Sequence, residues 1–428
     1  MRKRTLPLAV LATAALGLTA CAGGGSGSGD VSADGQTLTV WIMQGTNPDS
    51  EAFFKEVGSA FKKETGATLK VEYVQWADAH DRFVTSIAGN TTPDVAETGT
   101  TWTAEFADAG ALAPIGDYVD KAGLKDDLVK GLADSGTYDG ELYGMPWYAG
   151  VRSIVYRTDV FEELGLKAPT TWQEIIDAGT AIKAAKPDMI PFPVPGDAEF
   201  TAYPWVWGAG GEVSELDGDT WKSQLASDDS RKGIQFWTDL ATKYDLSSSG
   251  ATTWKETDVL DNFVQDKVAM AIMGSWTPAT IVQKNPELEG KFAAIPIPGE
   301  DGGMSPSVLG GSHLSMFNTS KNKDLAFQFI EMMTTGKYAS EWAEQTGYFP
   351  GQTSLLSDAT ESDDPLVKPF AEQFVDGGAS LPVTPKFGAV QAKKTTNAMI
   401  QAILSGSKSV DQATTDAATE MDDIMNGK

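Results

Sequence analysis

An alternation of short apolar strands with amphipathic helices constrains this chain more than any other feature. Leu38-Thr39-Val40-Trp41-Ile42 alternates with the period of a half-buried strand. Ser50 to Thr65 then places Phe53, Phe54, Val57 and Phe61 on one face of a helix that Gly66 stops. Leu69-Val71-Tyr73 alternates again, Asp78 to Ala88 returns to helical spacing, and Thr92-Pro93-Asp94-Val95 opens a third strand. A helix over Thr101–Ala109 ends at Gly110. Strands separated by helices of this length predict βαβ units with right-handed crossovers and a parallel sheet, so the first part of the chain reads as α/β. Beyond the turn at Asp139-Gly140, Ser153 to Tyr156 reads as a strand. Thr171 and Glu174 have the spacing of a capping box at the start of a helix. Further helices are expected at Arg231–Tyr244, Thr257–Gln265 and Asp324–Thr335, then Ala389–Leu404 and Val410–Met425.

The head of the chain is of another kind. Met1-Arg2-Lys3-Arg4 precedes an apolar run from Leu6 to Leu18, too short for the ~20 residues that span a bilayer, so residues 1–20 read as a signal peptide. The run closes on Leu18-Thr19-Ala20-Cys21, which resembles the bacterial lipobox, with Cys21 as the lipidated first mature residue. A plain signal peptide with an incidental cysteine is the alternative. Residues 21–36 are then the lipidated Cys and a Gly/Ser-rich flexible linker, a tether of roughly 20 Å. The expected location is extracytoplasmic, anchored by lipid to the outer face of the cell membrane.

Without residues 1–20, Lys+Arg falls from 33 to 30 against 59 Asp+Glu, a net charge of about −29. Such a surface repels nucleic acid, which is excluded as a partner. One cysteine leaves no disulfide framework, and two histidines, His80 and His313, leave no transition-metal set, so neither a metal nor a cofactor is expected. The ~390 residues beyond the linker exceed one core, and two domains follow. A monomer is expected. Twelve tryptophans are many for this length, and many fall in Gly/Pro-rich loops.

The order of motifs resembles the extracellular solute-binding proteins of ABC importers, the family that includes the maltose-binding proteins. Thr92-Pro93-Asp94-Val95 with Gly110 to Ile115 is similar to the family's first-lobe signature. Tyr143-Gly144-Met145-Pro146 with Ile154 to Phe161 is similar to its crossing into the second lobe. Pro169-Thr170-Thr171-Trp172, Met270 to Trp276, Asn322 to Ile330 and the Gly406 to Val410 turn continue the match across Thr37 to about Asn426. The resemblance implies the two-lobe α/β periplasmic-binding-protein fold, with a ligand cleft between lobes and a hinge of two to three crossings near 146–150, 290–296 and 331–336. The lobes it implies are 37–147 plus 291–333 and 148–290 plus 334–428. The implied partners are a di- or oligosaccharide and membrane permease subunits served by a separate ATPase.

A sugar presents apolar C–H faces to flat rings and hydroxyls that both donate and accept. Candidates must therefore combine loop aromatics with planar polar groups. The motif match carries a stacking role over to Trp276, which follows an apolar strand. Trp147 and Tyr148 follow Pro146, and Glu199, Phe200 and Tyr203 align with a family segment that supplies aromatic and carboxylate contacts; for each of these, core packing is the competing reading. Trp205 and Trp207 read as helix packing. On the first lobe the candidates are Gln44 and Gly45, then Thr98, Thr101 and Trp102. Thr98 and Thr101 stand where the family often places an aromatic and an acid, which leaves Glu97 to supply a carboxylate. Asp78 reads as a helix cap. Gly311 and Ser312 permit close approach of backbone to ligand. His313 reads as a satisfied structural histidine or a hydroxyl contact, Arg152 as a clamp or an interlobe pair, and Tyr348 as an edge contact.

Two other function classes stay open at this level. A polyamine would use an acidic aromatic box, for which Glu97 or Glu199 and the Trp-rich loops are available. A secreted glycosidase would need two carboxylates about 5–9.5 Å apart, but no nucleophile elbow, P-loop or zinc motif accompanies the acids. The reading is a binding protein, not an enzyme.

Overall fold

The structure, a computed structural model, describes residues 33, 35–44 and 50–427. The expected leader, Cys21, the Gly/Ser stretch and Gly45 lie outside these residues. Among the described residues no helix is long and apolar enough to cross a membrane.

The first sheet has six strands. In sheet order they are Phe349–Pro350, Gly144–Gly150, Gly310–Met316, Val95–Gly99, Thr37–Gln44 and Thr68–Gln75. Thr37–Gln44 pairs in parallel with both Thr68–Gln75 and Val95–Gly99, as the strand–helix alternation predicts. Gly310–Met316 enters antiparallel from late in the chain and pairs with both Val95–Gly99 and Gly144–Gly150. Helix Glu51–Thr65 buries Phe53, Phe54, Val57 and Phe61 against this sheet, and Gly66 ends it at φ +80°. The other side of the sheet carries a smaller core around Trp41, Phe83, Phe106 and Phe317.

The second sheet has three strands, Met270–Gly274, Arg152–Arg157 and Phe292–Ile295, all antiparallel. Its lobe is mostly helical. Helices Trp172–Ala185, Asp228–Thr242, Thr395–Leu404 and Val410–Met425 enclose a core of Trp172, Trp205, Trp237 and Ile400. At the start of Trp172–Ala185 the Thr171 hydroxyl accepts from the Glu174 amide at 3.2 Å. The Glu174 carboxylate reaches back one residue further than expected, to the Thr170 amide at 2.7 Å. Asp78 does not cap its helix, because that helix already starts at Trp76.

The strand pairings put the first crossing at the edge of the expected 146–150 and move the other two. The strand through Pro146 continues to Gly150 in the first sheet, and the chain crosses between Gly150 and Arg152. Residues 292–295, assigned above to the first lobe, hydrogen-bond to Arg152–Arg157 in the second, so the return crossing comes at 308–310. Residues 334–350 stay in the first lobe, because Trp342 packs on Phe53 and Phe54 and Phe349–Pro350 pairs with Gly144–Gly150. The last crossing follows Pro350. A short apolar strand does not reveal from its own residues which of two sheets will receive it.

Candidate functional site

A cleft of about 630 Å³ opens where the three crossings meet, within the range usual for small-molecule sites. The first lobe lines it with Trp76, His80, Thr101, Trp102, Tyr148, Gly311, Ser312 and Tyr348. The second lobe contributes Arg152, Glu199, Phe200, Trp276 and the segment from Ser380 to Thr384.

Trp276 sits where strand Met270–Gly274 turns into helix Thr277–Lys284. Its ring is seated on glycine. A Cβ at Gly274 would lie 2.3 Å from the indole, and one at Gly150 would lie 2.5 Å from it. Either methyl group would displace the ring, so the missing side chains are a condition of the geometry. Gly347, at φ +70°, caps the preceding helix in the left-handed conformation and turns Tyr348 back over Trp276. The two rings stack at 5.2 Å and 21°, and Tyr148 follows Tyr348 at 4.9 Å.

Arg152 continues this row of aromatic surface. Its guanidinium carbon lies 4.6 Å from the Phe200 ring centroid and 5.2 Å from that of Trp276, within cation–π range. Nε and Nη2 each donate to Glu256 at 2.9 Å, a bidentate pair. Nη1 is buried and has no partner. An orphaned charged donor at the cleft wall costs free energy until an acceptor arrives.

Two carboxylates belong to the walls, Glu97 behind the first and Glu199 in the second. Glu97 is fully buried and accepts from the Met43 amide at 2.7 Å, the Tyr148 hydroxyl at 2.5 Å and the Ser312 hydroxyl at 2.6 Å. Burial pushes its pKa up to about 7 against those three donors. Glu199, at the second lobe, accepts from Gln391 at 2.9 Å and from Tyr203 at 3.4 Å. Burial raises its pKa, opposed by these bonds and by the charge of Arg152. At the far end Trp76 and Trp102 pack at 5.4 Å, with His80 5.3 Å from Trp102. Glu105 holds the His80 pKa above its ordinary value through a 2.9 Å contact. Here Gly388 of the second lobe reaches the first: a Cβ on it would lie 3.3 Å from Glu105 Oε2.

Ten of the expected site residues therefore share one cavity: Trp276, Tyr348, Tyr148, Arg152, Phe200, Glu199, Thr101, Trp102, Gly311 and Ser312. Others do not reach it. Trp147 is fully buried in the first core and stacks on Trp342 at 5.1 Å, because alternation along Gly144–Gly150 sends it to the face opposite Tyr148. Thr98 points the other way from Glu97 and bonds to Ser315 at 2.8 Å. Tyr203 is buried behind Glu199, with its hydroxyl 3.0 Å from Thr396. Gln44 lies at the strand end against Gln75. Glu97 lies behind the wall rather than in the cavity. Trp205 is packed on Trp237, and Trp207 bonds to Glu212. His313 is a structural histidine: Nε2 donates to the Leu132 carbonyl at 3.0 Å, Nδ1 accepts from Thr103 at 2.8 Å, and burial pushes its pKa down to about 4.

Sequence reasoning missed Trp76, His80, Gln391 and the Ser380–Thr384 segment. The first pair was discoverable, since an aromatic and a histidine four apart share one helix face. The segment near 380 offered only a Leu-Pro break between helices. No cluster suited to a metal ion occurs among the described residues. Flat apolar faces, an unpartnered donor and hydroxyl oxygens suit noncovalent capture of a neutral, polyhydroxylated ligand.

Comparison with known proteins places this geometry among relatives. The family described as bacterial extracellular solute-binding protein matches residues 45–340. The diacetylchitobiose binding protein DasA of Streptomyces coelicolor is 28% identical over 399 residues, covering 91% of each chain. An ABC transporter solute binding protein from Thermotoga lettingae, bound with alpha-D-tagatose, superposes with a TM-score of 0.77 at 26% identity, covering 91% of this chain and 100% of that one. The sugar-binding protein MalE from Xanthomonas citri gives 0.81 at 23% identity, over 92% and 98%, and speaks for the fold.

Proposed function

The chain belongs to the bacterial extracellular solute-binding proteins, and from that premise we propose that it captures a di- or oligosaccharide in the interlobe cleft and delivers it to an ABC importer. The observation that carries this reading is the row Phe200, Arg152, Trp276, Tyr348. It offers stacking faces on either side of a guanidinium whose Nη1 has no partner. Sugar rings cover the aromatic faces, and a sugar oxygen accepts a hydrogen bond from Arg152. The names of DasA and of the tagatose complex add support, as both relatives are described with carbohydrates. The chain performs no reaction in this account. It closes around the sugar by the hinge motion of its family and docks on permease subunits whose ATPase is a separate chain. Cys21 carries the lipid that holds it at the outer face of the membrane, on the strength of the Leu18-Thr19-Ala20-Cys21 sequence.

Tryptophan fluorescence tests the reading directly. Saturable change with diacetylchitobiose, maltotriose or another sugar of a mono- to oligosaccharide panel, lost in Trp276→Ala, is the expected result. A response to spermidine alone, weakening with salt, overturns it in favour of polyamine uptake. The acids Asp81 and Glu199 on the cleft favour that second reading, and Arg152, which lines the same cleft, opposes it. Release of smaller sugars would make the protein a glycosidase.

A further inference from the structure

Glu97 has no task in the capture scheme above, yet three donors converge on its carboxylate. It is 0% exposed. No Lys, Arg or His is among its hydrogen-bond partners within the described residues. Isolating a carboxylate from water in this way is costly unless hydrogen bonds compensate. Oε2 takes the Met43 amide, and Oε1 takes two hydroxyl protons, from Tyr148 and from Ser312. Both residues line the cleft.

A hydroxyl owns one proton and ordinarily turns it toward whichever neighbour needs it. Here the Tyr148 proton goes to Oε1, and the Ser312 proton goes to Oε1 with the Tyr148 oxygen beside it, so neither hydroxyl has a hydrogen left to offer the cavity. Arg152, which lines the same cavity, is the converse. A guanidinium has no acceptor at all, and its Nη1 has no partner. We propose that Glu97 is a positioning residue that sets the specificity of the cleft: it commits Tyr148 and Ser312 to accept, in a cavity where Arg152 can only donate, so that the ligand group seated there must both give and take a hydrogen bond. A sugar hydroxyl does both. A carboxylate does not donate, and an ammonium does not accept. The inference rests on the capture reading for its ligand, but the state of Glu97 exists without one.

The groups that face Glu97 are few. Thr37–Gln44 presents the Met43 amide, Gly144–Gly150 presents Tyr148 with Tyr348 beyond it, and Gly310–Met316 presents Ser312 beside His313. Tyr148 is held protonated well above its ordinary range, and His313 is neutral near pH 7. Glu97 is thus the group of this cluster that changes charge near neutrality. A proton gained there frees a hydroxyl hydrogen for the cleft and reverses the polarity of one contact. Elsewhere on the cleft the His80 pKa is raised by its hydrogen bond to Glu105, and a Glu97 variant separates the two groups.

Two measurements decide the matter. In the ligand-free protein, carbon-13 NMR of the glutamate side-chain carboxyls, assigned with Glu97→Gln, is expected to show one group titrating near pH 7, with the Tyr148 ring resonances following it. Tyr148 ring resonances that stay indifferent to the Glu97 titration overturn the proposal whether or not a sugar is known. For whichever panel sugar the wild type binds, Glu97→Gln is expected to lose at least about tenfold in affinity, roughly what one hydrogen bond to a charged group is worth. An amide cannot accept from all three donors, and the pH dependence of affinity between about 6 and 8 flattens. Wild-type affinity with an unchanged pH profile overturns the proposal. If Glu97→Gln does not fold, Ser312→Ala carries the test: losing one donor raises the Glu97 midpoint further. No binding of any sugar by the wild type would refute the capture reading, while the carboxyl titration would still judge this one.

Discussion

The two lobes meet at one cleft but build their walls by opposite electrostatic means. The first lobe places an unpaired acid under its wall: Glu97 is surrounded by an amide and two hydroxyls. The second places a cation in its wall, and Arg152 is held by Glu256 with Glu199 nearby. Their cores, in contrast, use one device twice. Trp147 stacks on Trp342 in the first lobe at 5.1 Å, and Trp205 stacks on Trp237 in the second at 5.4 Å; all four indole N–H groups are buried without partners. The cores are interchangeable in kind, and the cleft walls are not. Selectivity therefore belongs to the thin layer between core and cavity.

The largest expected effect tests the likeness of the cores. Trp147→Ala and Trp237→Ala are each expected to cost about 3–5 kcal/mol in urea denaturation, the usual range for emptying a buried tryptophan site. Sugar affinity lost by Trp147→Ala without a matching loss of stability would return Trp147 to the cleft wall.

The next sets two buried groups of the first lobe against each other by acid response. The His313 pKa is depressed to about 4 in the folded state, so its stabilising contribution is present above about 6.5 and disappears as pH falls toward 4. Glu97 works in reverse: its pKa is raised to about 7, so stability is gained as pH falls from about 7 to 4.5. Each effect is of order 3 kcal/mol, and over most of this window they cancel. In His313→Gln the cancellation ends, and the first lobe is expected to become more stable from pH 7 to pH 5, followed by denaturation at each pH. A flat profile in that variant would mean that Glu97 is not buried as described.

Arg152→Met probes the second wall. It is expected to weaken sugar binding by about 30-fold, or 2 kcal/mol, the worth of a hydrogen bond to a charged group. Calorimetric titration reads this. An equal loss from Arg152→Lys would show that the fork geometry matters, and full rescue by lysine would show that charge alone suffices.

The smallest effect lies at the far end. The His80 pKa is raised by Glu105, so this pair stabilises fully below about 6.5 and is lost as pH rises through the elevated folded value. Both side chains are partly exposed, at 37% and 29%, so screening leaves a few tenths of a kcal/mol. Melting temperatures between pH 6 and 9 are expected to drift down slightly in the wild type and not in His80→Gln.

These comparisons also show what could be read from the amino acids alone. Period and punctuation exposed the strands through Val40, Val71 and Val95 and the helices between them, because each is a local property. The place of Trp276 on the cleft followed from its motif. The lobe boundaries did not emerge, since Phe292–Ile295 looks the same whichever sheet takes it. Trp147 and Tyr148 are neighbours with opposite fates, decided by strand phase, and only the register of the sheet reveals which faces the cavity. Thr98 and Glu97 pose the same problem. The partnership of Glu97 with Ser312 spans 215 residues, and no local pattern announces it.

The ring of Trp276 rests on Gly150, the residue at which the chain leaves the first sheet. A ring seated there cannot stay indifferent to the angle between the lobes, because turning Gly150 moves the floor beneath it. Its emission in solution would then report posture as well as occupancy, much as a protractor needle does. Titrations followed at Trp276 would carry two rates, encounter and swing, and a permease that held the lobes at one angle would shift the signal with no sugar present.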